Sequence, residues 1–78
     1  PSGVAVDSSG NVYVVNSWYN RVHKFDSSGN FITKWGSEGT GDGQFREPRG
    51  LSVDSSGNVY VVDMIEVNQR IQKFTSGE

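Results

Sequence analysis

The string Val6-Asp7-Ser8-Ser9-Gly10-Asn11-Val12-Tyr13-Val14-Val15 recurs, residue for residue, from Val53 to Val62, 47 positions further on. A repeat at this spacing decides the fold before any single side chain is weighed, because one short unit cannot bury its own apolar surface. Outward from the string the identity thins but the pattern continues. Pro1-Ser2-Gly3-Val4-Ala5 aligns with Pro48-Arg49-Gly50-Leu51-Ser52. Arg21-Val22-His23-Lys24-Phe25 aligns with Arg70-Ile71-Gln72-Lys73-Phe74 at a spacing of 49, so the second copy carries two extra residues between its aligned blocks.

Each copy reads as a set of short strands. Runs rich in Val, Tyr, Phe and Ile alternate with Gly, Ser, Asn and Asp clusters, and no window keeps a helical period. The first unit is expected to hold strands at Gly3–Val6, Asn11–Val15, Arg21–Asp26 and Phe31–Trp35. The second is expected to repeat three of them, at Gly50–Val53, Asn58–Val62 and Arg70–Phe74. The pentapeptide Asp-Ser-Ser-Gly-Asn, at Asp7, Asp26 and Asp54, suits tight hairpins: the aspartate bonds its own downstream backbone and the glycine takes φ > 0. A calcium loop also draws on Asp, Ser and Asn oxygens, but this stretch lacks the carboxylate density and closing glutamate of such loops.

Both faces of these strands are largely apolar. Val12 and Val14 point one way and Tyr13 and Val15 the other, so the sheet needs cover on both sides. With no helix to supply it, the cover must be other sheets. At 78 residues without a cysteine, and with His23 as the single histidine, neither disulfides nor a zinc site can brace a small core. Association with further copies is the remaining source of stability. The net charge of -2 and the absence of a basic run argue against nucleic acid and anionic membranes as partners. No stretch is apolar enough to span a bilayer, and the compartment cannot be read from the chain.

Pro-x-Gly-Val-Ala-Val-Asp, Gly-Asn-Val-Tyr-Val-x-Asp, Asn-x-Arg-Ile-x-Lys-Phe and Gly-x-Gly-x-Gly-Gln-Phe-x-x-Pro follow one another in an order and spacing that resemble the NHL repeat. The resemblance covers essentially the whole chain. It implies an all-β fold, with β-propeller blades of four-stranded antiparallel sheets. Residues 1–47 would form a first blade with its linker, and residues 48–78 a second blade lacking its outermost strand. Two blades do not close a ring, so the chain is read either as part of a larger propeller or as a unit that self-assembles. A homotrimer, giving a six-bladed ring, is the first expectation; the alternative is a fragment of a larger binding protein or metal-dependent lyase or hydrolase.

The resemblance also implies structural roles. Asp63, Asn68 and Arg70 would brace the loop between the second and third strands; the first copy keeps Arg21 but has Asn16 and Tyr19 in the other two places. A charge-assisted Asp–Arg pair once per repeat suits a scaffold better than a ligand site. Phe45 and Trp35 are expected in the seam between blades, with Phe45 pinning the glycine-rich linker Gly36–Pro48. That linker is no phosphate loop, having no Gly-Lys-Ser/Thr ending and carrying Glu38 and Asp42.

Alternating connections put the Asp-Ser-Ser-Gly-Asn turns on one rim and the variable loops on the other. The variable rim holds Trp18, Tyr19, Met64 and Ile65, large side chains at loop positions where the copies differ. Such a rim suits protein or ligand contact, although Trp18 and Met64 could equally pack over a neighbouring blade. Catalysis is not expected. His23 is a lone strand histidine, and Asp7 and Asp54 are the only inward carboxylates that could serve a channel metal, so no cofactor or metal ligand is assigned. Some NHL domains bind RNA on a basic rim, but Arg21, Arg46, Arg49 and Arg70 are dispersed here.

Overall fold

The computed structural model describes residues 3–65 and 68–75, without the side chains of Ile65, Asn68 and Gln69. Strands β1 (Gly3–Val6), β2 (Val12–Asn16), β3 (Arg21–Phe25) and β4 (Phe31–Trp35) form one antiparallel sheet in chain order. Strands β5 (Pro48–Val53), β6 (Val59–Ile65) and β7 (Asn68–Phe74) form a second, three-stranded antiparallel sheet. The two extra residues of the second copy lengthen its strands. Pairing between β6 and β7 continues past Asp63↔Arg70 to Ile65↔Asn68, where β2 and β3 stop at Asn16↔Arg21. Both β6 and β7 therefore run beyond the ends read from the sequence.

The three Asp-Ser-Ser-Gly-Asn stretches are hairpin turns of one design. In the first, Asp7 Oδ1 accepts from the backbone N–H groups of Ser9 and Asn11, at 2.9 and 3.0 Å, and Oδ2 accepts from Asn11 Nδ2 at 3.1 Å. Asp26 and Asp54 repeat this set. The turn glycines have φ of +86°, +89° and +85° at Gly10, Gly29 and Gly57, a region costly to any residue with a Cβ. Sequence reading missed a further bond. The Tyr13 hydroxyl donates to Asp7 Oδ2 and the Tyr60 hydroxyl to Asp54 Oδ2, each at 3.0 Å. The signal was present: a tyrosine follows the aspartate by six positions in both copies, and at the turn of Asp26 that place is Ile32.

The two sheets meet face to face. Tyr13, Val15 and Val22 of the first sheet and Val59 and Val61 of the second are buried together with Phe45 of the linker, and Trp35, Leu51, Val53 and Phe74 pack around them. The innermost strands β1 and β5 lie against each other across this seam. The alternate residues of each sheet point away from it. Val4 and Val6 remain 64% and 59% exposed on one outer side, and Ile71 is 68% exposed on the other. Of the two apolar faces that each sheet carries, one is covered within the chain and one is open.

Candidate functional site

The linker is locked to the second sheet by a charged pair, Asp63 and Arg70, with Gln72 beside them. Asp63, at the end of β6, is fully buried. Its Oδ1 accepts from the backbone N–H groups of Arg46 and Glu47 at 3.1 and 3.0 Å, while Oδ2 faces Nε and Nη2 of Arg70 at 3.3 Å. A buried carboxylate is tolerated only when its lone pairs are met in this way. Arg70 reaches further. Its Nη1 donates to the carbonyl of Thr40 at 2.8 Å, and its Nη2 donates to those of Gly41 and Gln44 at 3.1 and 2.6 Å. Gln72 adds a bond from Nε2 to the Gln44 carbonyl at 2.7 Å and accepts one from the Gly43 N–H at 2.9 Å.

Asp63 and Arg70 pair across β6 and β7. Beyond that pair they reach the inter-blade linker, 16 to 30 residues away in the chain, a role not read from the sequence. The side chain of Asn68 lies outside the described structure. In the first sheet Asn16 stands where Asp63 does, and its Oδ1 accepts from the Trp18 N–H at 3.0 Å. The Arg21 guanidinium has no hydrogen-bond or ion-pair partner among the described residues; it lines a shallow groove with Tyr19, His23 and Lys34.

Phe45 is fully buried, its ring edge-on to Phe74 with centroids 5.9 Å apart. Trp35 is half-buried, 5.4 Å from Phe74, and its Nε1 is buried without a partner among the described residues. Gly36 sits under the Phe45 ring with φ of +111°; a Cβ there would lie 2.7 Å from both the ring and the Asn20 carbonyl.

The variable rim divides in two. Trp18, 83% exposed, borders a shallow depression with Ser17, Asn20, Arg46, Glu47 and Met64, so the first-sheet loop, the linker and the end of β6 share one surface. The Met64 N–H donates to the Glu47 carbonyl at 3.1 Å, which fixes that edge to the linker. Tyr19, 65% exposed, lines the separate groove beside Arg21. Ile65 continues β6, but its side chain lies outside the described structure.

Asp7 and Asp54, the inward carboxylates considered for a metal, direct their oxygens into their own turns. Bonds from the Asn58 backbone and side chain, reinforced by Tyr60 and Ser56, hold the Asp54 carboxyl at about 2. Burial pushes Asp7 upward, but the bonds from Asn11, Tyr13 and Ser9 outweigh it and its pKa is lowered. The Asn30 backbone and side chain lower Asp26 in the same way. Among the described residues no three His, Cys, Asp or Glu side chains converge.

Two antiparallel sheets stacked face to face, joined by a linker that returns from the outermost strand β4 to a new inner strand β5, define consecutive blades of a propeller-type protein. A family model for the NHL repeat matches residues 1–25 and 45–74, and the chain belongs to that family. The two matched segments are the two copies recognised from the repeated string.

Proposed function

We propose that this chain is a non-enzymatic binding scaffold: NHL blades that close a ring with further copies of the chain and present the variable rim to a protein or ligand. The observation that carries the reading is the contrast between the two rims. The turn rim is built three times from the same bonds, whereas the opposite rim differs between the blades and exposes Trp18 beside Met64. Variable aromatic loops on a rigid repeated frame are the usual place for recognition. The non-enzymatic part is supported by the turn aspartates, whose lone pairs serve the hairpins. Three copies would bring about six blades, within the roughly four to eight of closed propellers. Sedimentation equilibrium tests the assembly: a discrete species of three chain masses supports it, and a folded, monodisperse monomer refutes it.

A second reading is favoured by β7, which among the described residues pairs only with β6 and leaves its other edge open. Under it, the two blades belong to a larger propeller whose binding or catalytic residues sit in other blades. An aggregating or unfolded monomer in the same experiment would support this reading.

A further inference from the structure

Gly3 and Gly50 occupy equivalent places in the two copies, at the inner strand of each sheet, yet their surroundings differ. A Cβ on Gly3 would meet the Arg49 carbonyl at 3.1 Å, Cα of Gly50 at 3.5 Å and a methyl of Leu51 at 3.7 Å. Gly3 is a glycine because another backbone passes close to it. A Cβ on Gly50 would meet nothing within 4 Å among the described residues. Its φ is not positive, so no turn geometry demands glycine there. The strand pairing slips between Pro48 and Gly50, but a bulge requires glycine only at positive φ. Glycine inside a strand weakens it and marks close approach of a ligand or another backbone. On the side where its Cβ would stand, Gly50 has no such neighbour among the described residues; the approach of Gly3 is not on that side.

The faces around the two glycines correspond as well. Beside Gly3 the seam buries Tyr13, Val15 and Val22. Beside Gly50, Ser52, Tyr60, Val62 and Ile71 line an open, largely apolar groove. Lys24 lies over the Tyr13 ring at 5.3 Å and Lys73 over the Tyr60 ring at 5.8 Å, so even the polar margin is copied. The surface that covers Gly3 is that of Leu51, Val53, Val61 and Phe74. Its counterpart in the first sheet is Val4, Val6, Val14 and Phe25, and it faces outward. Each half of the seam thus recurs once, uncovered, on opposite sides of the molecule.

Resting on the self-assembly reading above, we propose that the groove at Gly50 seats β1 of a second copy, with Gly3 and Val4 of that copy passing over Gly50 as Gly50 and Leu51 pass over Gly3 within the chain. The contact is head-to-tail: Val62 and Ile71 of one copy meet Val6, Val14 and Phe25 of the next. Because the two surfaces differ, the contact repeats until it closes. The second copy is favoured over an unrelated partner because the chain already contains this pairing, residue against residue, in its own seam.

The test compares the wild type, Gly50→Val and Ile71→Asp by sedimentation equilibrium and circular dichroism, with Ser8→Ala, exposed on the turn rim, as a control. Both face variants change positions that are open in the chain, so each should keep the wild-type spectrum. Both should weaken association on the order of 100-fold, through a clash at Gly50 and through a charge placed in an apolar contact at Ile71. Ser8→Ala should associate as the wild type does. If the wild type assembles and Ile71→Asp assembles equally well, the contact lies elsewhere and this inference falls while self-assembly stands. Should Gly50→Val fail to fold, Ile71→Asp decides alone. A wild type that stays monomeric at its highest soluble concentration overturns both.

Discussion

Arg70 on β7 faces the buried carboxylate of Asp63 across the β6–β7 pairing at 3.3 Å, and the same guanidinium takes the carbonyls of Thr40, Gly41 and Gln44. One side chain therefore neutralises a buried charge and fastens the linker. Removing it should cost about 3 kcal/mol, the lower end for breaking a buried pair, because Asp63 keeps its two backbone donors and Arg70 is partly exposed. Arg21→Ala, at a guanidinium without a partner among the described residues, should stay within about 0.5 kcal/mol. Urea unfolding of the two variants under identical conditions checks the contrast. Equal losses would mean that Arg70 is not the linker's anchor.

Phe45 and Gly36 form the other half of the linker's attachment. Phe45→Ala should leave a cavity between the blades and cost roughly 3–5 kcal/mol. Gly36→Ala should cost roughly 2–4 kcal/mol, from a positive φ and from overpacking against the Phe45 ring. The double variant carries a sharper signature. Truncating Phe45 removes the ring that a Cβ at position 36 would strike, so the double variant should lose less than the sum of the two separate losses. Full additivity in thermal melts would show that the ring does not rest on Gly36.

Local signals made much of this legible in the sequence, and long-range bonds did not. The strands of the first sheet and its turns follow from runs of Val, Tyr, Phe and Ile bounded by turn residues and from glycines at positive φ, both set by near neighbours in the chain. The ends of β6 and β7 were misjudged because Asp63-Met64-Ile65 carries no turn signal to distinguish strand from loop. The linker clamp joins groups 26 to 30 residues apart through backbone carbonyls, which have no residue-type signature. Trp18 and Tyr19 are adjacent in sequence and were read as one rim, yet they border different grooves. The loop that carries them closes through Asn20 at φ of +58°, a left-handed conformation that adjacency in the chain does not reveal.

Acid should loosen the turns. The Asp54 carboxyl lies at about 2 in the folded chain against an ordinary value of 3.8, so its contribution is full above about pH 4 and is lost as pH falls toward 2. Tyr60→Phe removes one bond to the charged form, so its Asp54 should titrate at a higher pH than in the wild type. Carboxyl-carbon NMR titration reads both midpoints. A wild-type Asp54 that titrates near 3.8 would show that the turn bonds do not favour the ionised form. Asp26 has no tyrosine partner and serves as the internal comparison.

The edge of β7 away from β6 allows a direct comparison of the two sheets. In the first sheet β3 is paired on both sides, by β2 and β4, whereas among the described residues β7 is paired by β6 alone. The amides of Arg70–Phe74 that point away from β6 lack a strand partner there, and unpaired strand edges recruit other chains. Lys73 is exposed and blunts the edge in part; residues 76–78, the other candidates for that task, lie outside the described structure. Hydrogen exchange should therefore show weaker protection in Arg70–Phe74 than in the equivalent Arg21–Phe25. A chain extended by a strand resembling Phe31–Trp35 should gain protection at β7, unfold at a higher urea concentration and aggregate less. In the proposed assembly the faces meet at Gly50 and this edge stays free, so the difference in protection should persist in any ring that forms. Equal protection there would mean that the assembly covers the edge and that copies join by strand pairing instead of by their faces.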